Sequence, residues 1–416
     1  MKSGGKGSRV PGAKGSSGRT PEARRRVIGV VTVARSDYGI YVPLLREIEE
    51  SPRLQLRLIV AGMHFAPEFG LTVRQIEADG FEIADRVEML VSSDTPEGIA
   101  KSIGLGVVGY AQAFGRCRPD LLVVMGDRFE MHAAALAALP FKIPVAHLHG
   151  GELTFGAIDD ALRHSMTKLS HLHLVSTKEY ARRVAQLGEE DWRITVAGAL
   201  SLDNVRLTRL LDAGAFEKKF GVCIKPPVLL VTFHPVTLEY ERTNWQVGEL
   251  LSALDAAGMQ VVFTLPNADT AGRAVKQLVA DYVRTHPQAA MVDNLGTQGY
   301  FSMMAMAAAM VGNSSSGIVE AASFRLPVVN IGTRQEGRIR GANIIDTGYG
   351  RKEILAAIRK ATGDAFRARL GDIKNPYGSG HAAERIVRVL AEMRINNRLL
   401  VKHFADHPRP AKGAGS

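Results

Sequence analysis

From Val27 onward, short apolar runs rich in β-branched residues alternate with stretches whose apolar positions recur three and four residues apart. Continuous apolar runs of this length predict buried strands, and the longer period predicts amphipathic helices. Their alternation predicts βαβ units built around parallel sheets. In the first half the strand candidates are VIGVVTV, LQLRLIVAG, LLVVMGD, KIPVAHL, LHLVST and RITVAG. Helical patterns such as YVPLLREIEE, FEMHAAALAAL and AIDDALRHSMTKLS lie between them, and in the last Ala161, Leu162 and Ser165 follow helical spacing from Ile158. The pattern breaks over residues 212–227, DAGAFEKKFGVCIKPP, where Gly, a Lys pair and a Pro pair predict a linker. It restarts with PVLLVTFHP, MQVVFTLPN, AAMVDNL, AAMVGNSSSG and RLPVVNIGTR.

The expected fold class is therefore α/β. One doubly wound, Rossmann-like domain is expected over 27–211 and a second over 228–400, with a tail over 401–416. The last amphipathic stretch, HAAERIVRVLAEMR, suits packing on either domain. A length of 416 residues and 46% hydrophobic content are enough for two cores. The net charge of +10 suggests nucleic acid until its distribution is read: residues 1–26 hold eight Lys/Arg against Glu22 alone, so they supply +7 of it. That Gly/Ser-rich segment lacks the apolar stretch of a secretory signal and reads as a disordered basic tail. The near-neutral remainder argues against a nucleic-acid surface. No apolar run is long enough to span a membrane. Two distant cysteines, Cys117 and Cys223, read as reduced packing residues, so a cytoplasmic location is expected.

In open parallel sheets, ligands bind beyond the carboxyl ends of the strands. Those positions hold ARSDYG, GDRFE and HLHGGELTFGAIDDALRH in the first half, and FHPVT, LPNAD, GNSSSG and NIGTR in the second. The two halves are thus expected to share one cleft. In GNSSSGIVEAAS, Gly312 and Gly317 permit close backbone approach and the serines suit either a phosphate site or an ordinary helix cap. Arg334, after the next strand, adds a bidentate cation suited to a diphosphate. The first half offers the carboxylates Asp127, Glu152, Asp159 and Asp160, with Arg35, Arg128 and Arg163 near them in pattern. Asp159 and Asp160 also suit compensation of a helix N-terminus. His147 and His149 have the spacing of strand metal ligands, but no further ligands follow at matching positions. A solvated loop, a metal site and an acid–base cleft all fit these residues.

The blocks GDRFE, HLHGGELTFGAIDDALRHSMTKLSHLHLVST, HPVT, LPNAD, GNSSSGIVEAA and NIGTRQEGR, in this order, resemble the hydrolysing UDP-N-acetylglucosamine 2-epimerases of sialic and nonulosonic acid biosynthesis. The resemblance runs from about Val27 to about Gly380. It implies a glycosyltransferase-B-like fold, no cofactor, no metal, and a homo-oligomer. It also implies elimination of UDP to a 2-acetamidoglucal, followed by hydration to free N-acetylmannosamine. By the same resemblance, Arg35, His234, Asn267, Ser314, Ser315, Glu320 and Arg334 hold the nucleotide, the serines at a phosphate and Glu320 at the ribose. Arg128 joins the binding set, and His234 also joins the catalytic set. Asp127 and Asp159 are the expected acid–base groups.

One departure stands out. Some members read His-Ile-Glu-Gly-Gly-Glu where this chain has His147-Leu148-His149-Gly150-Gly151-Glu152. Either His149 takes over proton transfer or Glu152 reaches in from three residues on. The alternative substrate is UDP- or GDP-diacetylbacillosamine. The competing activities are a retaining glycosyltransferase of the same fold, a catalytically silent sugar-nucleotide sensor and a metal hydrolase.

Overall fold

The computed structural model describes Met1 and residues 24–91, 95–153, 158–265 and 270–407. Two parallel sheets organise them. The first contains β1 (Arg26–Thr32), β2 (Leu54–Ala61), β3 (Ile83–Val87), β4 (Leu121–Met125), β5 (Val145–Leu148), β6 (Leu172–Val175) and β7 (Ile194–Val196). The second contains β8 (Val228–Thr232), β9 (Gln260–Thr264), β10 (Ala289–Val292), β11 (Ala309–Gly312), β12 (Val328–Ile331) and β13 (Ile344–Thr347). Every residue of β4, β8, β11 and β12 is buried, as expected where helices cover both faces of a parallel sheet. The doubly wound α/β expectation is met in both halves.

Strand order is β3-β2-β1-β4-β5-β6-β7 in one sheet and β10-β9-β8-β11-β12-β13 in the other. Each order reverses once, between β1 and β4 and between β8 and β11. Helices leaving the two strands at such a point diverge, and a crevice opens at the carboxyl ends. Asp127 follows β4 and His234 and Ser314 follow β8 and β11, so the candidate chemistry sits at both crevices. Gly312 has φ +135°, and a Cβ there would lie 2.0 Å from the Thr232 carbonyl oxygen. The close approach expected of this glycine is made to the end of β8.

Several expectations are corrected. The stretch read as a linker contains the helix Ala213–Phe220, N-capped by the Asp212 side chain, with Phe216 buried in the second half's core. Phe216 and Phe220 stand one helical turn apart, their tilted rings 4.8 Å between centroids, which gives the segment an apolar face despite its lysines. The helix Ala382–Glu392, within the stretch assigned to the second domain, packs into the first core through Ala382, Ala383, Ile386 and Leu390. Asp203 fixes its start by accepting from the Ala382 and Ala383 amides, each at 2.9 Å.

Both tails are shorter than expected. Arg26 opens β1, Arg25 donates to the Leu54 carbonyl and Arg24 pairs with Asp120, so residues 24–26 belong to the fold. At the other end Lys402 reaches buried Glu189 at 2.7 Å, and the Ala405 amide donates to the Gly188 carbonyl. Cys117 is half-buried, and Cys223 is exposed rather than packed. Among the described residues no helix is long and apolar enough to cross a membrane.

Candidate active site

The Asp127 turn is built by three neighbours. After β4 the chain turns at Gly126, whose φ of +74° suits glycine, and this brings Asp127 and Arg128 to the strand's carboxyl end. His147, on β5 and fully buried, donates from Nε2 to the Gly126 carbonyl at 2.8 Å. Burial, aided by the charges of His173 and Arg163, pushes this imidazole down to about 3 and keeps it neutral. Arg163, buried on the helix Ile158–Leu169, donates to Asp127 Oδ2. His147 is therefore a brace for the turn, and Arg163 holds the carboxylate that the turn presents.

At the end of β5 the backbone changes direction. His149 takes φ +62°, a left-handed conformation that costs a residue with a Cβ about 1–3 kcal/mol and must be imposed by its surroundings. Gly151 follows with φ +78°, where a Cβ would fall 2.5 Å from the Tyr180 carbonyl oxygen. The turn folds Glu152 back under the imidazole, and His149 Nδ1 lies 2.9 Å from Glu152 Oε1. Ser176 Oγ donates to the same oxygen at 3.2 Å, and Arg338 Nη2 stands 3.9 Å from Oε2. Burial alone would raise the Glu152 carboxyl, but the His149 hydrogen bond and the His149, Arg338 and Arg163 charges outweigh it and hold the group at about 2. His147 and His149 thus point to different partners. Among the described residues no three His, Cys, Asp or Glu side chains converge as a metal site.

Asp159, partly buried, is pushed up, first by burial and then by the Asp127 charge. Asp160 instead lies 3.5 Å from His164 on its own helix. Arg128 is engaged by the fully buried Glu130, at 2.8 and 3.2 Å, which fixes its guanidinium at the cleft wall. Arg35 is exposed at the first position of the helix Arg35–Glu50. That helix starts on Asp37, which accepts from the Val33 and Ala34 amides at 2.9 and 2.8 Å and is pushed up to about 6 by burial.

In the second half Asn313 organises the crevice. Its side chain accepts from the His234 amide at 2.7 Å and donates to the His234 carbonyl at 2.8 Å. Its own carbonyl accepts from Arg334 Nη1 and Gln335 Nε2, at 3.0 and 2.8 Å. Burial and then the Arg334 charge press the His234 imidazole down to about 3, so it is neutral beside that guanidinium. Ser314 caps a helix of only five residues, Ser315–Val319, shorter than GNSSSGIVEAAS suggests. Glu320, buried and pushed up to about 7 by burial, accepts a hydrogen bond from Ser201 of the first half. Asn267 lies outside the described residues.

The structure brings Asp127, Arg163 and Asp159 together, with His149, Glu152, Ser176 and Arg338 close beside them. Glu152–Arg338 and Ser201–Glu320 are among the contacts that join first-half residues to second-half residues. Ser176, Ser201 and Arg338 are missing from the sequence-based set. Arg338 carried the one available signal, a second arginine at the end of NIGTRQEGR.

This arrangement matches known proteins. The sequence profile described as UDP-N-acetylglucosamine 2-epimerase matches residues 46–391. The GDP/UDP-N,N'-diacetylbacillosamine 2-epimerase (hydrolyzing) of Campylobacter jejuni is 37% identical over 92% of this chain and 99% of its own length. The chain belongs to the UDP-N-acetylglucosamine 2-epimerase family. The UDP-N,N'-diacetylbacillosamine 2-epimerase (hydrolyzing) of Legionella pneumophila is another family relative, 34% identical over 91% of this chain and 98% of its own. The solved UDP-GlcNAc 2-epimerase of Neisseria meningitidis bound to UDP-GlcNAc shares the fold, with a TM-score of 0.75, 18% identity and coverage of 88% of this chain and all of that one. The two-sheet architecture of this family member is accordingly glycosyltransferase-B-like. It is an enzyme of the UDP-sugar 2-epimerase class.

Proposed function

We propose that this family member is a hydrolysing 2-epimerase of UDP- or GDP-linked N,N'-diacetylbacillosamine, releasing the free 2-epimeric sugar and the nucleoside diphosphate. The observation that carries the substrate is the near full-length similarity to the Campylobacter and Legionella enzymes named for it. This moves the reading from UDP-N-acetylglucosamine to the 2,4-diacetamido sugar.

The chemistry asks for what the cleft offers. The hydrogen on carbon 2 is not acidic, so its removal is coupled to cleavage of the bond between carbon 1 and the diphosphate oxygen. The C–H electron pair becomes the carbon 1–carbon 2 double bond, and the C–O pair departs on the diphosphate. Arg334, Arg35 and the amides near Ser314 and Ser315 are suited to the charge that accumulates there. Neutral His234 beside Arg334 can donate a hydrogen bond to it, and Glu320 can accept from ribose hydroxyls. Water then adds to carbon 1 of the glucal while a proton arrives at carbon 2 on the opposite face. Asp159, pushed up by burial and by Asp127, is suited to hold that proton, and Asp127, held by Arg163, to stabilise positive charge at carbon 1.

The test is product formation from UDP-diacetylbacillosamine, GDP-diacetylbacillosamine and UDP-N-acetylglucosamine without an acceptor. The expected result is free sugar and nucleoside diphosphate, fastest from a diacetylbacillosamine nucleotide. Preference for UDP-N-acetylglucosamine would return the substrate to the simpler sugar. Turnover only with an added acceptor would make the protein a glycosyltransferase.

A further inference from the structure

We propose that His149 is a proton-transfer group of this site, acting through Nε2, and that Glu152 is a positioning residue that sets its tautomer and orientation. The assignment rests on the 2-epimerase reading above and deepens it, because it divides labour between His149 and Glu152, which the sequence leaves as alternatives.

Glu152 is the more enclosed of the two residues, and one of its oxygens is already taken. Its Oε1 receives His149 Nδ1 and Ser176 Oγ, its Oε2 faces Arg338 Nη2, and the residue is 6% exposed. A carboxylate whose accepting oxygen is taken by His149 and Ser176 is suited to orient the ring rather than to reach a carbon-bound proton. His149 has the complementary geometry. Because the carboxylate accepts, the ring proton belongs on Nδ1 and the Nε2 lone pair is left exposed. Among the described residues no group meets Nε2, and the side chain keeps 18% of its surface accessible.

The backbone is shaped for this contact. An unbent continuation of β5 would place His149 as its next strand residue. The left-handed turn at His149 and Gly151 instead brings a residue three positions on beneath the ring. Glycine is required at the second of these positions by the Tyr180 carbonyl. A turn that costs backbone strain, closed by a carboxylate with three partners, is the arrangement of a preorganised dyad.

The step balances simply. The Nε2 lone pair takes the proton from carbon 2 as the C–H pair forms the double bond and the C–O pair leaves on the diphosphate. The resulting imidazolium is stabilised by ionised Glu152, then loses its proton to solvent before the next turnover.

The test uses full-length protein and four variants: His149→Gln, Glu152→Gln, the double variant, and His149→Glu. With UDP-diacetylbacillosamine, each Gln variant should lose about 10²–10⁴-fold in kcat, the usual worth of a positioned proton-transfer group, with little change in KM or UDP affinity. The double variant should be no worse than His149→Gln, since a dyad fails as a unit. His149→Glu should recover part of the loss. Nitrogen-15 histidine spectra of the free protein, assigned with His149→Gln, should place the neutral-ring proton on Nδ1 and show it redistributed in Glu152→Gln. Wild-type kcat in His149→Gln with loss in Glu152→Gln would make Glu152 the direct group and overturn the assignment. So would a wild-type ring proton on Nε2. The spectra need no turnover, so they decide the dyad even if no sugar nucleotide proves to be a substrate, a result that would sink only the 2-epimerase reading.

Discussion

Arg338, from the second half of the chain, stands 3.9 Å from Glu152, from the first, with 18% and 8% of their side-chain surfaces exposed. The carboxylate beneath His149 therefore has its full set of partners only when the two halves are together. Removing this partly desolvated charge should weaken the dyad by about 1–2 kcal/mol, because His149 and Ser176 remain. Arg338→Gln is expected to lose about tenfold in kcat, and Arg338→Lys less. Steady-state kinetics on UDP-diacetylbacillosamine read this directly, and an unchanged kcat in Arg338→Gln would show that the contact plays no part.

The Glu320 carboxyl predicts a pH signature. Burial raises it from 4.5 to about 7 in the folded protein, so between those values the folded state binds more protons than the unfolded state. Stability from this group is then lost as pH rises through that window. Glu320→Gln removes the loss, so its melting temperature relative to wild type should climb from pH 4.5 to pH 7. Thermal unfolding across that range provides the check, and a constant difference would contradict it.

His147 tests the bracing of the Asp127 turn. Its Nε2 is the side-chain partner of the half-buried Gly126 carbonyl, and an apolar ring in its place removes that bond. His147→Phe should cost about 1–3 kcal/mol of stability. Turnover should fall as well, while UDP affinity, proposed to rest mainly on Arg334 and the amides near Ser314 and Ser315, stays close to wild type. Loss of UDP binding with retained turnover would invert this assignment.

How much of this was legible in the sequence depended on where each residue sits. The inner strands were readable because helices cover both their faces, which demands continuous apolar runs such as LLVVM and VLLVT. The edge strands β3 and β13, IADRV and IIDT, mix charge into short segments and carried no such signal. Asp127, His149, Glu152 and Asp159 were singled out as candidates because polar residues gather at the carboxyl ends of such strands. Arg338 was not, because it meets Glu152 only through the packing of the two halves. The HLH spacing suggested shared ligation, but the left-handed turn at His149 separates the two rings. The carboxyl-terminal segment looked frayed because its contacts are made by Lys402 and by main-chain groups, which periodicity does not reveal.

That segment gives a fourth prediction. Glu189 is fully buried and meets His173, Lys168 and Lys402 at 2.8, 2.6 and 2.7 Å. Lys402 also donates to the carbonyls of Lys168 and Ser170. Deleting residues 402–416 leaves the carboxylate with two partners and should destabilise the first half by about 1–3 kcal/mol. Chemical denaturation should show an earlier transition, with UDP binding retained. Unchanged stability would mean the docked tail adds nothing.

The central claim is elimination followed by hydration, with proton transfer at carbon 2 by groups that exchange with solvent. Incubating the protein with UDP-diacetylbacillosamine in deuterium oxide tests it most directly, by mass and NMR analysis of the sugar released. The expected products are free 2-epimeric sugar and UDP, with one deuterium at carbon 2 in every sugar molecule. Product that keeps its original hydrogen at carbon 2, or sugar that remains attached to the nucleotide, would contradict it.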